Sequence, residues 1–310
     1  MNLIILYVFL IIVIFTILGA KFDFKKVGFL KSLIITCILV VAGIFTGILP
    51  MYVGKCGDKA WYTYNIYNTA RIHGKGKIAL YAFNRHYTLD ANGKSQEAKT
   101  NLVPEKLKKV VIGKGITELD AEAFAHYTNL ETIKFSNTVT SIGDSSFSGC
   151  SSLTKIENID NVIYIGKCAF LDCVKLNEIT IPNGVSEIKA STFKNCVQLR
   201  QISLPNNLKS IESCAFLDCN NLNKIDLPNG LNKIESYAFE NCTSLKEITI
   251  PESVTIIGKR PFFGCEKLKD IYIIGKIDEN DDKWSEIYTS DDDGKIELGG
   301  SSDRVVHWDE

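Results

Sequence analysis

A leucine recurs every 23 residues along this chain, at Leu107, Leu130, Leu153, Leu176, Leu199, Leu222, Leu245 and Leu268. Phenylalanine keeps the same step at Phe124, Phe147, Phe170, Phe193, Phe216, Phe239 and Phe262. So does cysteine at Cys150, Cys173, Cys196, Cys219, Cys242 and Cys265. Self-similarity at a period of roughly 20 to 50 residues marks a solenoid, whose units bury their apolar edges only against neighbours. The period therefore excludes a fold wrapped around one central core. It predicts seven full coils and a partial eighth over residues 107–276.

The unit 222–244 shows how one coil works. Ile225 and Leu227 flank Asp226 with the two-residue alternation of a short strand. Pro228 ends the strand because it cannot donate to a continuing ladder, and Asn229-Gly230 supplies turn chemistry. Leu231 and Ile234 form a second inward pair. Ala238, Phe239, Cys242 and Leu245 then fall at spacings of three and four, which predicts one or two helical turns leading to the next strand. In this reading the phenylalanines and cysteines above are the structural core. Side chains stacked in parallel cannot turn toward each other as a disulfide requires, so each thiol is expected to pack as a small buried residue. Nor can a linear column converge four ligands on a zinc ion. Cys168 and Cys214 stand outside the register, and Asn158 with Ile159 predicts a bulge in the third coil.

The motif L-x-x-I-x-[IL]-P-x-x-[VL]-x-x-I-x-x-x-A-F-x-x-C resembles the BspA-like, treponemal-type leucine-rich repeat family of surface proteins in bacteria and some protists. The resemblance implies a leucine-rich-repeat solenoid. It also implies adhesion-like binding of a protein ligand or a cell-surface or matrix component, with no enzymatic role.

Before the repeats, residues 1–53 hold two apolar runs, about 3–20 and 32–53, each near the roughly 20 residues that span a bilayer as a helix. Between them Lys21, Lys25, Lys26 and Lys31 outnumber Asp23, and lysine-rich short loops stay cytoplasmic. This predicts two transmembrane helices with the repeats outside the membrane. A second reading makes 1–20 a cleaved signal peptide, although no charged n-region precedes its apolar run. Residues 54–106, rich in tyrosine with Trp61, read as a β-rich linker or N-terminal cap. Residues 277–310 read as an acidic tail or C-terminal cap.

Function has to be sought in what the repeat leaves over. A formal net charge of −1 lacks the basic field that nucleic-acid binding needs. His73, His86, His126 and His307 are scattered, and no nucleophile, base or metal cluster converges on one place, so no enzyme, cofactor or metal is expected. The stretch 291–296 lacks the first and last ligands of a calcium loop. The candidate recognition face is the outward strand column Lys134, Glu157, Thr180, Ser203, Asp226, Thr249 and Tyr272. It is mixed in charge and almost free of the aromatic residues that anchor tight contacts, which predicts weak or avidity-based binding. The alternative is a non-binding structural spacer or an envelope-organising protein.

Overall fold

Each coil turns because two short apolar strands and one tight turn must share a single inward side. The computed structural model describes residues 52–65, 67–79, 87–89, 95–97, 106–274 and 305–309, together with Val40 and Val41. Within it the coils stack as parallel ladders offset by one repeat. Along the first ladder, strands Lys109–Ile112, Thr132–Lys134 and Lys155–Glu157 place Lys109 beside Thr132 and Thr132 beside Lys155. The same ladder resumes with Glu178–Thr180 against Gln201–Ser203 and with Glu247–Ile250 against Asp270–Ile274. A second ladder carries the other inward pair through Ile116–Leu119, Ser141–Ile142 and Tyr164–Ile165, then through Glu187–Ile188, Ser210–Ile211, Lys233–Ile234 and Ile256–Ile257. After the strands, the carbonyls of Pro182, Pro205, Pro228 and Pro251 accept an amide three residues on, closing the turn at 2.9–3.1 Å.

The helical turns expected around each phenylalanine do not form. No residue from 106 to 274 is helical. Two residues per coil, two before and two after the phenylalanine, take left-handed φ instead: Ser191 and Asn195 around Phe193, Tyr237 and Asn241 around Phe239. Left-handed residues in this alternation cannot propagate an α-helix. Their amides, with that of the phenylalanine, point to the next coil: Ser191, Phe193 and Asn195 donate to the carbonyls of Ser213, Ala215 and Leu217 at 2.7–3.0 Å. The intervening amides of Thr192, Lys194 and Cys196 turn back three residues within their own coil. Spacings of three and four thus place side chains inward as a helix would, while the backbone builds a third inter-coil ladder.

Three places depart from the regular stack. In the sixth coil the strand expected around Asp226 does not form, although Ile225 is still buried, so the first ladder lapses between Gln201–Ser203 and Glu247–Ile250. At the third coil Asn158 is left-handed, with φ 60°, and its side chain donates back to the Phe135 carbonyl of the second coil. Ile159 is buried in its place, as the expected bulge requires. Both strand ladders divide at the next junction, between Lys155–Glu157 and Glu178–Thr180 and between Tyr164–Ile165 and Glu187–Ile188. The turn ladder continues across it, from Cys168, Phe170 and Asp172 to Ala190, Thr192 and Lys194. The last coil carries Pro261 before Phe262. Proline has no amide to turn back, but its carbonyl still accepts the Phe239 amide at 2.8 Å.

Ahead of the repeats, Tyr52–Lys55, Ala60–Tyr64 and Thr69–Gly74 form an antiparallel meander whose third strand joins the first ladder beside Lys109–Ile112. Gly76–Ile78 joins the second ladder beside Ile116–Leu119. Gly74 links the two at φ 105°, where an added Cβ would lie 2.0 Å from the Lys59 carbonyl oxygen. Tyr52 and Val53, placed by the sequence at the end of the second apolar run, instead begin a strand, paired with Tyr64 and Thr63. The rest of that run, apart from Val40 and Val41, and the whole of 3–20 lie outside the described residues. Among the described residues no helix is long and apolar enough to cross a membrane. Beyond the repeats, Val305–Asp309 adds a parallel strand to Asp270–Ile274, and residues 275–304 lie outside the description.

Candidate binding face

The inward columns are consumed by packing. Phe124, Phe147, Phe170, Phe193, Phe216, Phe239 and Phe262 are buried and stack face to face, their centroids 5.2–5.6 Å apart and their planes within 13°. Cys150, Cys173, Cys196, Cys219, Cys242 and Cys265 are fully buried free thiols. They do more than fill space, because each donates its S–H to the phenylalanine carbonyl of the preceding coil at 3.1–3.3 Å. The Phe147 carbonyl, for example, accepts both the Cys150 amide at 3.1 Å and the Cys173 thiol at 3.3 Å. Burial pushes the Cys150 thiol up to about 12 and raises Cys196 and Cys219 well above the ordinary thiol range, so these groups stay protonated donors. Where serine or threonine replaces the small residue before the phenylalanine, its hydroxyl is satisfied too. Ser146 bonds the Asp120 and Gly143 carbonyls, and Thr192 those of Gly166 and Lys189.

The outward strand column lies where alternation puts it. Thr180, Ser203, Asp226 and Thr249 are exposed, while Lys134, Glu157 and Tyr272 are half-buried. One column of the same face escapes a reading centred on the residue between the two inward ones. The position two residues earlier also points outward, and it carries Lys109, Thr132, Lys155, Glu178, Gln201, Lys224, Glu247 and Asp270. The same two-residue period that located the first column implies the second.

Ion pairs tie the two columns together. Glu157 receives Lys155 at 2.9 Å and Lys134 at 3.6 Å, and Lys224 reaches Asp226 at 3.2 Å. The hydrogen bond from Lys155 holds the Glu157 carboxyl below the usual carboxylate range. At the divided junction a cavity of about 340 Å³ opens on this face, with half-buried Ile156 and buried Ile179 beneath Lys155, Glu178 and Thr180. The meander extends the face by two strands. On them Trp61 is 42% exposed and stacks on His73 at 4.3 Å and 21°, with Arg71 exposed beside them. Burial and the Arg71 charge hold His73 below the ordinary histidine range, so its ring is neutral at neutral pH.

Among the described residues no group of three or more His, Cys, Asp or Glu side chains is arranged to hold a metal ion. His73 lies on the meander and exposed His126 on the turn side of the first coil, so the structure does not bring these two together. His86 and His307 have no described side chains.

A sequence profile for the BspA type leucine rich repeat region, in six copies, matches residues 103–204 and 163–284. Among solved structures, a leucine-rich repeat protein of T. pallidum is 28% identical, over 61% of this chain and 90% of that one, with a TM-score of 0.50. A leucine-rich cell surface protein of Faecalibacterium prausnitzii is 23% identical, over 70% and 69%, at 0.47. A leucine-rich repeat protein of Bacteroides ovatus is 26% identical, over 71% and 64%, at 0.46. No curated protein matches the chain.

Proposed function

Because the chain belongs to the BspA-type leucine-rich repeat family, we propose that it is a non-enzymatic scaffold whose outward strand face binds a protein or matrix ligand at the cell surface. One observation carries this. Inward positions repeat almost letter for letter and are spent on packing, whereas the outward strand positions vary from coil to coil on a backbone that holds them about 4.8 Å apart. A solenoid of this kind presents side chains as an extended docking surface.

In the same reading the two N-terminal apolar runs anchor the chain as membrane helices, with the repeats outside. The meander 52–74 and the strand Val305–Asp309 close the two ends of the core. Lys134, Glu157, Thr180, Ser203, Asp226, Thr249 and Tyr272 contribute to the binding face together with the earlier outward column.

The test replaces Lys134, Asp226 and Tyr272 together in the full chain and measures retention of cells and matrix proteins. Loss of binding with an unchanged melting profile supports the face. Unchanged binding removes it and favours the spacer reading. Protease digestion of intact cells checks the orientation, since full protection of the repeats would overturn their placement outside the membrane.

A further inference from the structure

The two halves of the strand face differ in charge. From the meander to the third coil, the outward strand positions carry Arg71, Lys109, Lys134 and Lys155 against one acid, Glu157. From the fourth coil onward the same two columns carry the acids Glu178, Asp226, Glu247 and Asp270 against Lys224 alone; the flanking position adds Arg200, Lys246 and Lys269 there, whereas in the first half it holds Lys108 and Glu131, which pair with each other.

The register spreads the four cations evenly. Arg71 lies beside Val111 and Val111 beside Lys134, while Lys109 lies beside Thr132 and Thr132 beside Lys155. The charges therefore alternate between the two outward columns on successive strands of one continuous sheet, each column repeating every second strand at roughly 9.6 Å. Trp61 and His73 stand at the outer end of this zigzag, with Val111 as an apolar step within it.

We propose that this basic half, from Trp61 to Lys155, docks an acidic, extended segment of a partner protein, with Trp61 as its apolar anchor. The inference rests on the strand-face reading above and names its partner class. Charge complementarity supplies the attraction, and an exposed tryptophan flanked by arginine is the side-chain set that concentrates binding energy at protein interfaces. A densely sulfated glycan fits less well. Glu157 sits amid the cations, holds two of the lysines, and would repel a uniformly anionic polymer, whereas a peptide can present a donor or an apolar side chain there.

The experiment titrates the full chain, purified in a non-ionic detergent, with a fluorescent decaglutamate peptide carrying one leucine, and in parallel with a heparin decasaccharide. The expected result is saturable peptide binding that weakens at least tenfold in Arg71→Glu/Lys109→Glu and in Trp61→Ala. Binding should survive in the charge-matched control Lys167→Glu/Lys259→Glu, whose residues are exposed in the turns away from the strand face, and should fall as salt shortens electrostatic reach. Melting profiles confirm that the variants remain folded. Preferential heparin binding lost in the same variants overturns the peptide assignment, and absent or variant-insensitive peptide binding overturns the site. If the peptide fails while the Lys134/Asp226/Tyr272 variant still loses surface ligands, the binding face stands and only the acidic partner falls.

Discussion

Removing one ring from the middle of the stack tests whether the phenylalanine column holds the coils together. Phe216 is fully buried, with ring neighbours on both sides: Phe193 at 5.5 Å and Phe239 at 5.2 Å, both within 7° of parallel. Phe216→Ala forfeits the transfer free energy of the ring and leaves a cavity between two coils, together about 3–5 kcal/mol. The two stacked contacts, each worth about 0.5–1.5 kcal/mol beyond area, place the loss at the upper end of that range. Solenoid stability is a sum of coil and nearest-neighbour terms, so the loss falls on the fourth-to-fifth-to-sixth coil interfaces and leaves distant ones intact. Urea denaturation of the full chain, followed by circular dichroism, should show an early transition separating two halves of the array. Phe262→Ala, where among the described residues the stack ends with Phe239 on one side, should fray one end at smaller cost. A Phe216→Ala transition within about 1 kcal/mol of the parent, still in one step, would refute the argument.

Other expectations follow from the same packing. Cys196→Ala removes the donor to the Phe170 carbonyl and should cost about 1–2 kcal/mol in denaturant, where a purely space-filling thiol would cost less. Iodoacetamide on the native protein, read by mass spectrometry, should label the half-buried Cys168 and Cys214 before the column thiols, which react only after unfolding. Cys150, Cys173, Cys196, Cys219 and Cys242 all have raised pKa values, so the unfolded chain releases their protons before the folded one does. Their contribution is complete below about pH 9 and is lost as pH rises, by up to about 1.4 kcal/mol per unit for each thiol, so the melting temperature should drop steeply in alkali. A flat profile up to pH 11 would contradict their burial. Gly143→Ala would place a Cβ 2.7 Å from the Asp120 carbonyl carbon and the Leu119 oxygen of the preceding coil, and should destabilise by about 1–3 kcal/mol in a thermal melt.

Much of the fold was legible because a stack converts chain period into spatial period. Once leucine, phenylalanine and cysteine recur every 23 residues, the inward columns, the strand positions and the bulge at Asn158 and Ile159 follow from alternation and volume. The turn was misread for a physical reason. Side chains at spacings of three and four face one way on a helix, and they also do so on a backbone that alternates left-handed and ordinary residues. Only the destination of the amides separates the two. Ser145, Ser191, Tyr237 and Arg260, all left-handed, are not residues that announce this conformation, and glycine marks it only at Gly149 and Gly264. The candidate face was half visible. Alternation alone picks out its later column; the earlier column with Lys109 and Lys155 lies one alternation away, and only pairing between strands brings Trp61, Arg71 and His73 of the meander onto the same face.

By itself, then, the amino-acid sequence determined the architecture: the coil length, the residues that must be buried, and the absence of a single central core. Those are consequences of spacing, and spacing is a property of one dimension. Tertiary structure decided what depends on residues 22 to 26 apart becoming neighbours. It set the amide ladder that replaces a helix, the thiol that reaches back to a phenylalanine carbonyl, and the three-stranded meander that continues the sheet, including the two strands that carry Trp61 and Arg71. Through those two strands the basic residues of the first coils join Trp61 and Arg71 on one surface, because a surface is assembled from contacts between coils and no coil holds it alone.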